Sequence, residues 1–217
     1  MFINVKNTIE GLKPQDVVQE RYWNPEEQKR VLNFYIRILP QLIGAERCNI
    51  FILDSKDETV WLKAGTGLTE RQLEIPSDSS IAGQVIQSGK SVRMDHLDEK
   101  PGAHERRDDA TGFTARELLC VPIHGIRTAQ VIGALELLSK SGRAFSEDDQ
   151  VLLTEAAHTL SPFIENIYLD QQVTTLSGKL YKAGESVLST LVFIFAAGLG
   201  VLLLIFIAWA FLPRLTG

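Results

Sequence analysis

Apolar residues recur at helical spacing in the first clearly patterned segment of the chain. Asn24-Pro25-Glu26-Glu27 has the form of a helix start: a capping residue, a proline at the first helical position, and acids at the positive end of the helix dipole. The apolar residues that follow lie three and four positions apart, and Gly44 ends the pattern. The sequence predicts an amphipathic helix here, with apolar positions Val31, Leu32, Phe34, Tyr35, Ile38, Leu39, Leu42 and Ile43.

Three later segments are apolar at nearly every position: Cys48–Asp54, Glu117–Ile123 and Val131–Leu138. A further strand is predicted at Thr59–Gly65, after a polar turn. Strands that are apolar on both faces indicate a sheet covered on both sides. Further helix starts follow at Ser79-Ser80, with Gly89 as the stop, and at Ser146-Glu147-Asp148-Asp149. The pattern therefore favours an α/β domain with helices flanking a central sheet.

A long polar loop covers residues 95–117 and is rich in charge. A loop of this length in a compact domain is usually functional or disordered. His96 and His104 lie in it among several aspartates, but their spacing fits no compact ligand motif. Solvated loop charges explain them better, and the sequence predicts no metal site.

A charge-free run from Val187 to Leu212 dominates the C-terminal part of the chain. Its 26 residues exceed the roughly 20 that a helix needs to cross a bilayer. A core helix rarely runs this long without a polar face. The sequence predicts a transmembrane helix over 187–212.

The surroundings of this run predict its topology. Only residues 213–217 follow it, and the N-terminal segment has no apolar core of signal-peptide length. We expect a tail anchor that keeps residues 1–186 in the cytoplasm.

The segment before the run allows two interpretations. Apolar residues alternate at four and three positions, as in a coiled-coil seam: Leu169, Val173, Leu176, Leu180, Ala183 and Val187. Gly178 and Gly184 weaken a helix, however, and the seam is shorter than three heptads. A parallel dimer joined along residues 169–186 and a plain amphipathic linker both remain open.

Composition excludes several classes of function. The net charge is −5 with both signs interspersed, and no basic stripe indicates nucleic acid. Cys48 and Cys120 both lie in apolar runs, which is typical of reduced core cysteines. No P-loop, nucleophile elbow or HExxH signature occurs.

Four segments together resemble the GAF domain, a small sensory module of cyclic-nucleotide phosphodiesterases, phytochromes and bacterial regulators. They are ERCNIFILD, SIAGQVIQSGKSVRMDHLDE, DDATGFTARELLCVPI and VIGALELLSKSGRAFSEDDQ, in the order and spacing of the family. The resemblance covers about residues 25–168. It implies an antiparallel sheet of about six strands with helices on both faces, here preceded by an extension over 1–24.

The resemblance also implies where a small ligand would bind. In nucleotide-binding members the phosphate lies at the start of a helix, which corresponds here to Ser80, Ile81 and Ala82. The loop signature T-G-F-x-T-R corresponds to a segment of residues 95–117. Its matching residues here are Thr111, Gly112, Phe113 and Arg116.

Three departures from the family pattern weaken the nucleotide-binding interpretation. Ala115 replaces a threonine of the loop signature, and Asn49 stands where nucleotide binders commonly carry serine. The family's N-K…F-x-x-x-D-E motif keeps its lysine, phenylalanine and aspartate as Lys140, Phe145 and Asp149, but loses its asparagine and glutamate. The surviving residues predict a structural Lys140–Asp149 pair that braces a strand against the last helix.

The sequence therefore predicts a non-enzymatic GAF module without a cofactor. Its expected partners are other protein subunits and the membrane, which by family analogy is a bacterial inner membrane. A homodimer stays open, and no nucleic acid is expected. The leading hypothesis is a regulatory subunit of a membrane-associated complex. The alternative is a sensor of a small molecule, with cyclic nucleotides as candidates. A redox enzyme using Cys120 is a third hypothesis. A covalent bilin is not expected, since no cysteine lies between Leu53 and Leu119.

Overall fold

A computed structural model describes residues 24–54, 56, 59–99, 102, 108–109, 111–128 and 130–211, without the side chains of 98, 182, 185–188, 191–192 and 204–211. The predicted extension, apart from Asn24, and the tail 213–217 lie outside the described residues. The chain divides into two compact units, residues 1–172 and 173–217. Each unit is described by itself.

The first unit is built on an antiparallel sheet of six strands. The order across the sheet is β3-β2-β1-β6-β5-β4, so the two central strands come from distant parts of the chain. The strands are β1 (Ala45–Asp54), β2 (Thr59–Gly65), β3 (Glu74–Pro76), β4 (Val92–Met94), β5 (Leu118–His124) and β6 (Val131–Lys140). The predicted antiparallel sheet of about six strands is confirmed.

The α-helices whose bounds are described are α1 (Pro25–Ile43), α2 (Ile81–Ser88) and α3 (Glu147–Phe211). Residues 108–109 and 111 are also helical. The Asn24 side chain caps α1, and Gly44 ends it in the left-handed conformation. Ser80 caps α2, and Gly89 ends that helix in the same way. Short 3₁₀ turns precede α2 at Ser77–Ser79 and follow β4 at Leu97–Glu99.

Apolar residues on the two faces of the sheet form two separate clusters. Cys48, Ile50 and Ile52 of β1 lie with apolar residues of α1 and α3. Phe51, the residue between two of them, lies on the opposite face with apolar residues of α2. This alternation explains why the strand is apolar at almost every position.

The short strands β3 and β4 have only three residues each and no apolar periodicity that sequence reasoning could detect. Pairing with longer neighbours stabilises them. β4 pairs with Leu118–Cys120 of β5 and does not reach Pro122. The missing N–H of that proline therefore does not interrupt the β4–β5 pairing.

Helix α3 is continuous over 65 residues and includes residues of both units. Gly178 and Gly184 do not interrupt it. Among the described residues, no helix combines the length and apolarity needed to cross a membrane. Leu212 and several side chains of the predicted span 187–212 lie outside the described residues. The transmembrane helix is therefore not supported by the structure and stays a prediction from sequence.

Candidate functional site

The hydroxyl of Ser80 is committed to capping α2. Its Oγ accepts a hydrogen bond from the N–H of Gly83 at 3.0 Å, and its carbonyl accepts from Gln84 at 3.0 Å. The backbone of Ser77 lies close to the same turn. A Cβ on Gly83 would lie only 1.8 Å from the Ser77 carbonyl oxygen. Ser80 therefore organises the start of the helix from a buried position.

Helix α2 and the loop signature meet in one apolar cluster. Ile81 and Ala82 are buried there, and Phe113 packs against the same cluster. The Arg47 guanidinium carbon lies 3.9 Å from the centroid of the Phe113 ring, a cation–π contact. The structure thus brings these predicted residues together and adds Arg47, which sequence reasoning missed.

The polar residues of the loop signature form hydrogen bonds outside this apolar cluster. Thr111 Oγ1 donates locally to the carbonyl of Asp108 at 3.4 Å, and Gly112 has a positive φ of 60°. The Arg116 guanidinium is exposed and donates to Glu46 Oε1 at 3.3 Å. In this conformation Arg116 forms a surface ion pair.

A buried polar pair lies on the α2 side of the sheet. Asn49 Nδ2 donates to Glu136 Oε1 at 3.0 Å, and the two residues are 1% and 2% exposed. Asn49 pairs in register with Glu136 of β6 and with Gly65 of β2, and Glu136 pairs with Cys120 of β5. A glutamate inside the apolar run of β6 is a sequence signal that marks Glu136 as unusual, but it does not reveal Asn49 as the partner.

The remnant of the N-K…F-x-x-x-D motif braces the start of α3. Lys140 Nζ donates to Asp149 Oδ2, which also accepts from the N–H and hydroxyl of Ser146 at 2.7 and 2.8 Å. Burial alone raises the pKa of Asp149, but the hydrogen bonds from Lys140 and Ser146 outweigh it and lower the pKa. Phe145 is buried beside them. The arrangement is structural.

A second brace, which sequence reasoning missed, joins α3 to the β5–β6 turn. Glu165 Oε1 accepts from the backbone N–H groups of Arg127 and Thr128 at 2.8 and 3.1 Å. Arg127 Nε donates to Glu165 Oε2 at 3.2 Å. The Glu165 carboxylate fits beside Gly125 only because glycine has no side chain. A Cβ at residue 125 would lie 2.8 Å from Glu165 Oε1. A lone buried glutamate in a helical pattern does not reveal such a partner.

The cysteines are placed for packing. Cys48 and Cys120 are buried on opposite faces of the sheet and form no disulfide with each other. Burial, and to a smaller extent the charge of Glu136, raises the pKa of the Cys48 thiol. A buried thiol of this kind is a poor nucleophile. Within the described residues no group of three or more His, Cys, Asp or Glu side chains is arranged to hold a metal ion. His104 lies outside them.

Comparison with known families decides the classification. Residues 26–165 match the family described as the GAF domain. The chain belongs to the GAF domain family.

Two relatives of this chain are longer proteins that it matches over part of their length. A probable 3',5'-cyclic phosphodiesterase, pde-5, of Caenorhabditis elegans is 30% identical over 135 residues, which cover 56% of this chain and 17% of the relative. Nitrogen fixation protein AnfA of Azotobacter vinelandii is 27% identical over 148 residues, which cover 65% of this chain and 27% of the relative. The chain thus matches under a third of the length of either protein.

Solved structures agree on the GAF fold. The GAF domain of a phosphoenolpyruvate-protein phosphotransferase from Coxiella burnetii superposes with a TM-score of 0.56 at 20% identity, covering 75% of this chain and 95% of that one. A segment of a methyl-accepting chemotaxis protein gives 0.55 at 17% identity, covering 72% and 98%. At these identities the likeness establishes the fold alone.

Proposed function

We propose that this chain is a non-enzymatic regulatory GAF module that acts through protein contacts as a subunit of a membrane-associated complex. The observation that supports this most directly is the run of exposed apolar side chains in the second unit. Phe193, Phe195 and Leu202 are 74%, 76% and 67% exposed. Exposed apolar surface of this extent is typical of protein or membrane contacts.

The sequence supports a membrane tether as part of this proposal. Residues 187–212 contain no charge, and Lys179 and Lys182 flank the run on its N-terminal side. We place residues 1–186 in the cytoplasm and the span in a bacterial inner membrane.

Membrane fractionation tests the tether. The wild-type chain is expected to stay in the membrane pellet after sodium carbonate extraction. Replacing both Leu202 and Leu203 by arginine should release it, because two charges at the centre of a span are costly. Replacing Thr175 and Ser177 by arginine is the matched control and should leave the chain in the pellet. A wild-type chain found in the supernatant would contradict the tether.

Mild detergent extraction followed by native mass spectrometry tests the subunit role. A defined assembly with other subunits is expected. A chain that is recovered alone, or only with a copy of itself, would contradict this role.

A second candidate function is a small-molecule sensor that signals through α3. It is favoured by the buried Asn49–Glu136 pair and the Arg47–Phe113 contact, which lie on the side of the sheet that α2 covers. Relatives that are named as cyclic phosphodiesterases make cyclic nucleotides the first ligands to test. A ligand signals only if its affinity differs between two states of the protein.

Calorimetric titration of the purified full-length chain with cyclic AMP, cyclic GMP and cyclic dinucleotides tests the cyclic-nucleotide form of this function. Saturable heat that is lost in the Arg47→Ala variant is expected. The matched control is Arg37→Ala, an exposed arginine on α1. Flat titrations with every nucleotide would remove these ligands.

A further inference from the structure

We infer that Asn49 and Glu136 recognise a planar ligand group that presents adjacent N–H donors, such as an amidine. This inference rests on the sensor function proposed above and names the chemistry that its site selects. It concerns recognition only and involves no reaction.

The first observation is the position of the pair. Asn49 and Glu136 occupy neighbouring central strands and are almost fully buried. Phe51 and Ala134, the next residues on the same face of these strands, belong to the apolar cluster that includes α2. Two polar side chains in such surroundings are costly to bury unless their hydrogen-bonding atoms are satisfied.

The second observation is an acceptor without a partner. Asn49 Oδ1 is buried and accepts no hydrogen bond from any described residue. The orientation of the amide is set by its Nδ2, which donates to Glu136 Oε1. A carbonyl oxygen in this state accepts readily from a donor that reaches it.

The third observation is the close approach of Gly65 to this oxygen. A register shift between β1 and β2 places Gly65 opposite Asn49. A Cβ at residue 65 would lie 2.6 Å from Asn49 Oδ1. Glycine at residue 65 therefore lets the backbone of β2 lie close to this oxygen, with the Leu62 side chain beside it.

The chemistry of the two residues selects the ligand class. An amide oxygen and a carboxylate both accept hydrogen bonds, so the complementary group must donate. A carboxylate or phosphate at this position would be repelled by Glu136. Phe113 packs against the same cluster, and its aromatic ring suits a planar partner.

The alternative is that the pair only fixes the register of β1 against β6. Both roles predict a loss of stability when the pair is broken, so stability alone does not separate them. Selectivity among probes of equal shape does.

Benzamidine, benzamide and benzoate are such probes, since they share one ring and differ only in donors and acceptors. Their binding to the purified full-length chain in detergent is measured by saturation-transfer NMR and by titration. Benzamidine is expected to bind at least about tenfold more tightly than benzamide, and benzoate should not bind detectably. Equal binding of the three probes, or binding of none, would overturn the inference.

Variants locate the binding site. Glu136→Gln and Asn49→Leu are each expected to weaken benzamidine binding at least about tenfold. Glu74→Gln, which changes an exposed glutamate on β3, should leave binding unchanged. Benzamidine binding that persists in both site variants would place its site elsewhere and overturn the inference.

A measurement on the wild-type chain covers the case in which the variants do not fold. The side-chain amide resonances of Asn49 should shift with benzamidine and stay in place with benzoate. Unchanged resonances at saturating benzamidine would contradict the assignment.

Failure of this inference is distinguishable from failure of the sensor function. If a cyclic nucleotide binds in an Arg47-dependent manner but the selectivity for benzamidine is absent, the sensor function stands and the inference falls. If neither class of compound binds, both fall.

Discussion

The carboxylate of Glu165 joins helix α3 to the turn between β5 and β6. It is buried, and it accepts hydrogen bonds from two backbone N–H groups and from the Arg127 guanidinium. Burial by itself raises the pKa of Glu165, but the hydrogen bonds from Arg127 and Thr128 outweigh it and lower the pKa. The ionised form is therefore the one that the fold stabilises.

Glu165→Gln is expected to lower the free energy of unfolding by about 2 kcal/mol at pH 7, because neutral amide bonds replace charge-assisted ones. The wild-type contribution is present above the pKa of the unfolded carboxyl, about 4.3, and is lost as pH falls through the lower folded value. Denaturant unfolding from pH 7 down to pH 3 measures both effects. Glu155→Gln, an exposed change on the same helix, is the control, and equal effects of the two variants would contradict this role.

Ser139 has a backbone conformation that serine rarely adopts. Its φ is +50°, and its Oγ accepts a hydrogen bond from the N–H of Arg116 at 3.1 Å. This is the position at which the family pattern carries asparagine, and asparagine tolerates positive φ better than serine does. The geometry gives a physical reason for the asparagine of the motif.

Ser139→Ala is expected to lower the free energy of unfolding by about 1 to 2 kcal/mol, because it keeps the strained backbone and removes the acceptor for Arg116. Ser139→Asn should be more stable than the alanine variant, since it supplies an acceptor and suits the conformation. Thermal unfolding checks the order, and Ser141→Ala serves as the exposed control. An alanine variant as stable as wild type would refute the argument.

Residue types alone predicted some of these roles and not others. The Lys140–Asp149 pair followed from a motif whose members lie nine positions apart. Glu165 and Glu136 could not be paired with Arg127 and Asn49, because their partners lie 38 and 87 positions away. Only the fold brings such residues together.

A glycine in α2 and a glycine in the distal part of α3 differ in how closely other atoms approach them. Gly83 lies against the backbone of Ser77, where a Cβ would meet the carbonyl oxygen at 1.8 Å. Gly178 lies within α3 and has open space around the Cβ position. The first glycine is required by packing, whereas the second only weakens its helix.

Gly83→Ala is therefore expected to cost about 3 kcal/mol or more, because one backbone must move away from another. Gly178→Ala should instead raise helix stability by roughly 0.5–1 kcal/mol, the difference in helix propensity. Circular dichroism during thermal unfolding of the two full-length variants measures both. Equal behaviour of the variants would contradict the distinction.

At the scale of elements, hydrophobic pattern and capping signals predicted the long strands and the helix starts well. The short strands β3 and β4 were not identified individually, since three residues carry too little pattern and their pairing depends on β2 and β5. The sequence predicted a helical stalk that continues directly into the span, and α3 includes residues of both segments.

The second unit presents the apolar stripe of the predicted coiled-coil seam to solvent. Val173, Leu176 and Leu180 are 45%, 57% and 74% exposed. A seam of this kind is stable only when a partner helix covers it.

Cysteine cross-linking tests whether a second copy is that partner. Leu176→Cys is expected to form a disulfide-linked dimer in a parallel arrangement, whereas Thr175→Cys, off the seam, should cross-link far less. The native cysteines are buried, so wild type provides the background. Equal cross-linking at the two positions would favour the plain linker.

The sheet order also determines when this domain is able to fold. β1 lies between β2 and β6, and β6 begins 77 residues after β1 ends, at residue 131 against residue 54. A growing chain therefore exposes one edge of its central strand until residues 131–140 have left the ribosome. Such late, long-range closure slows folding, and an open apolar edge is prone to aggregation. The strand order therefore predicts that the chain needs chaperones during its synthesis.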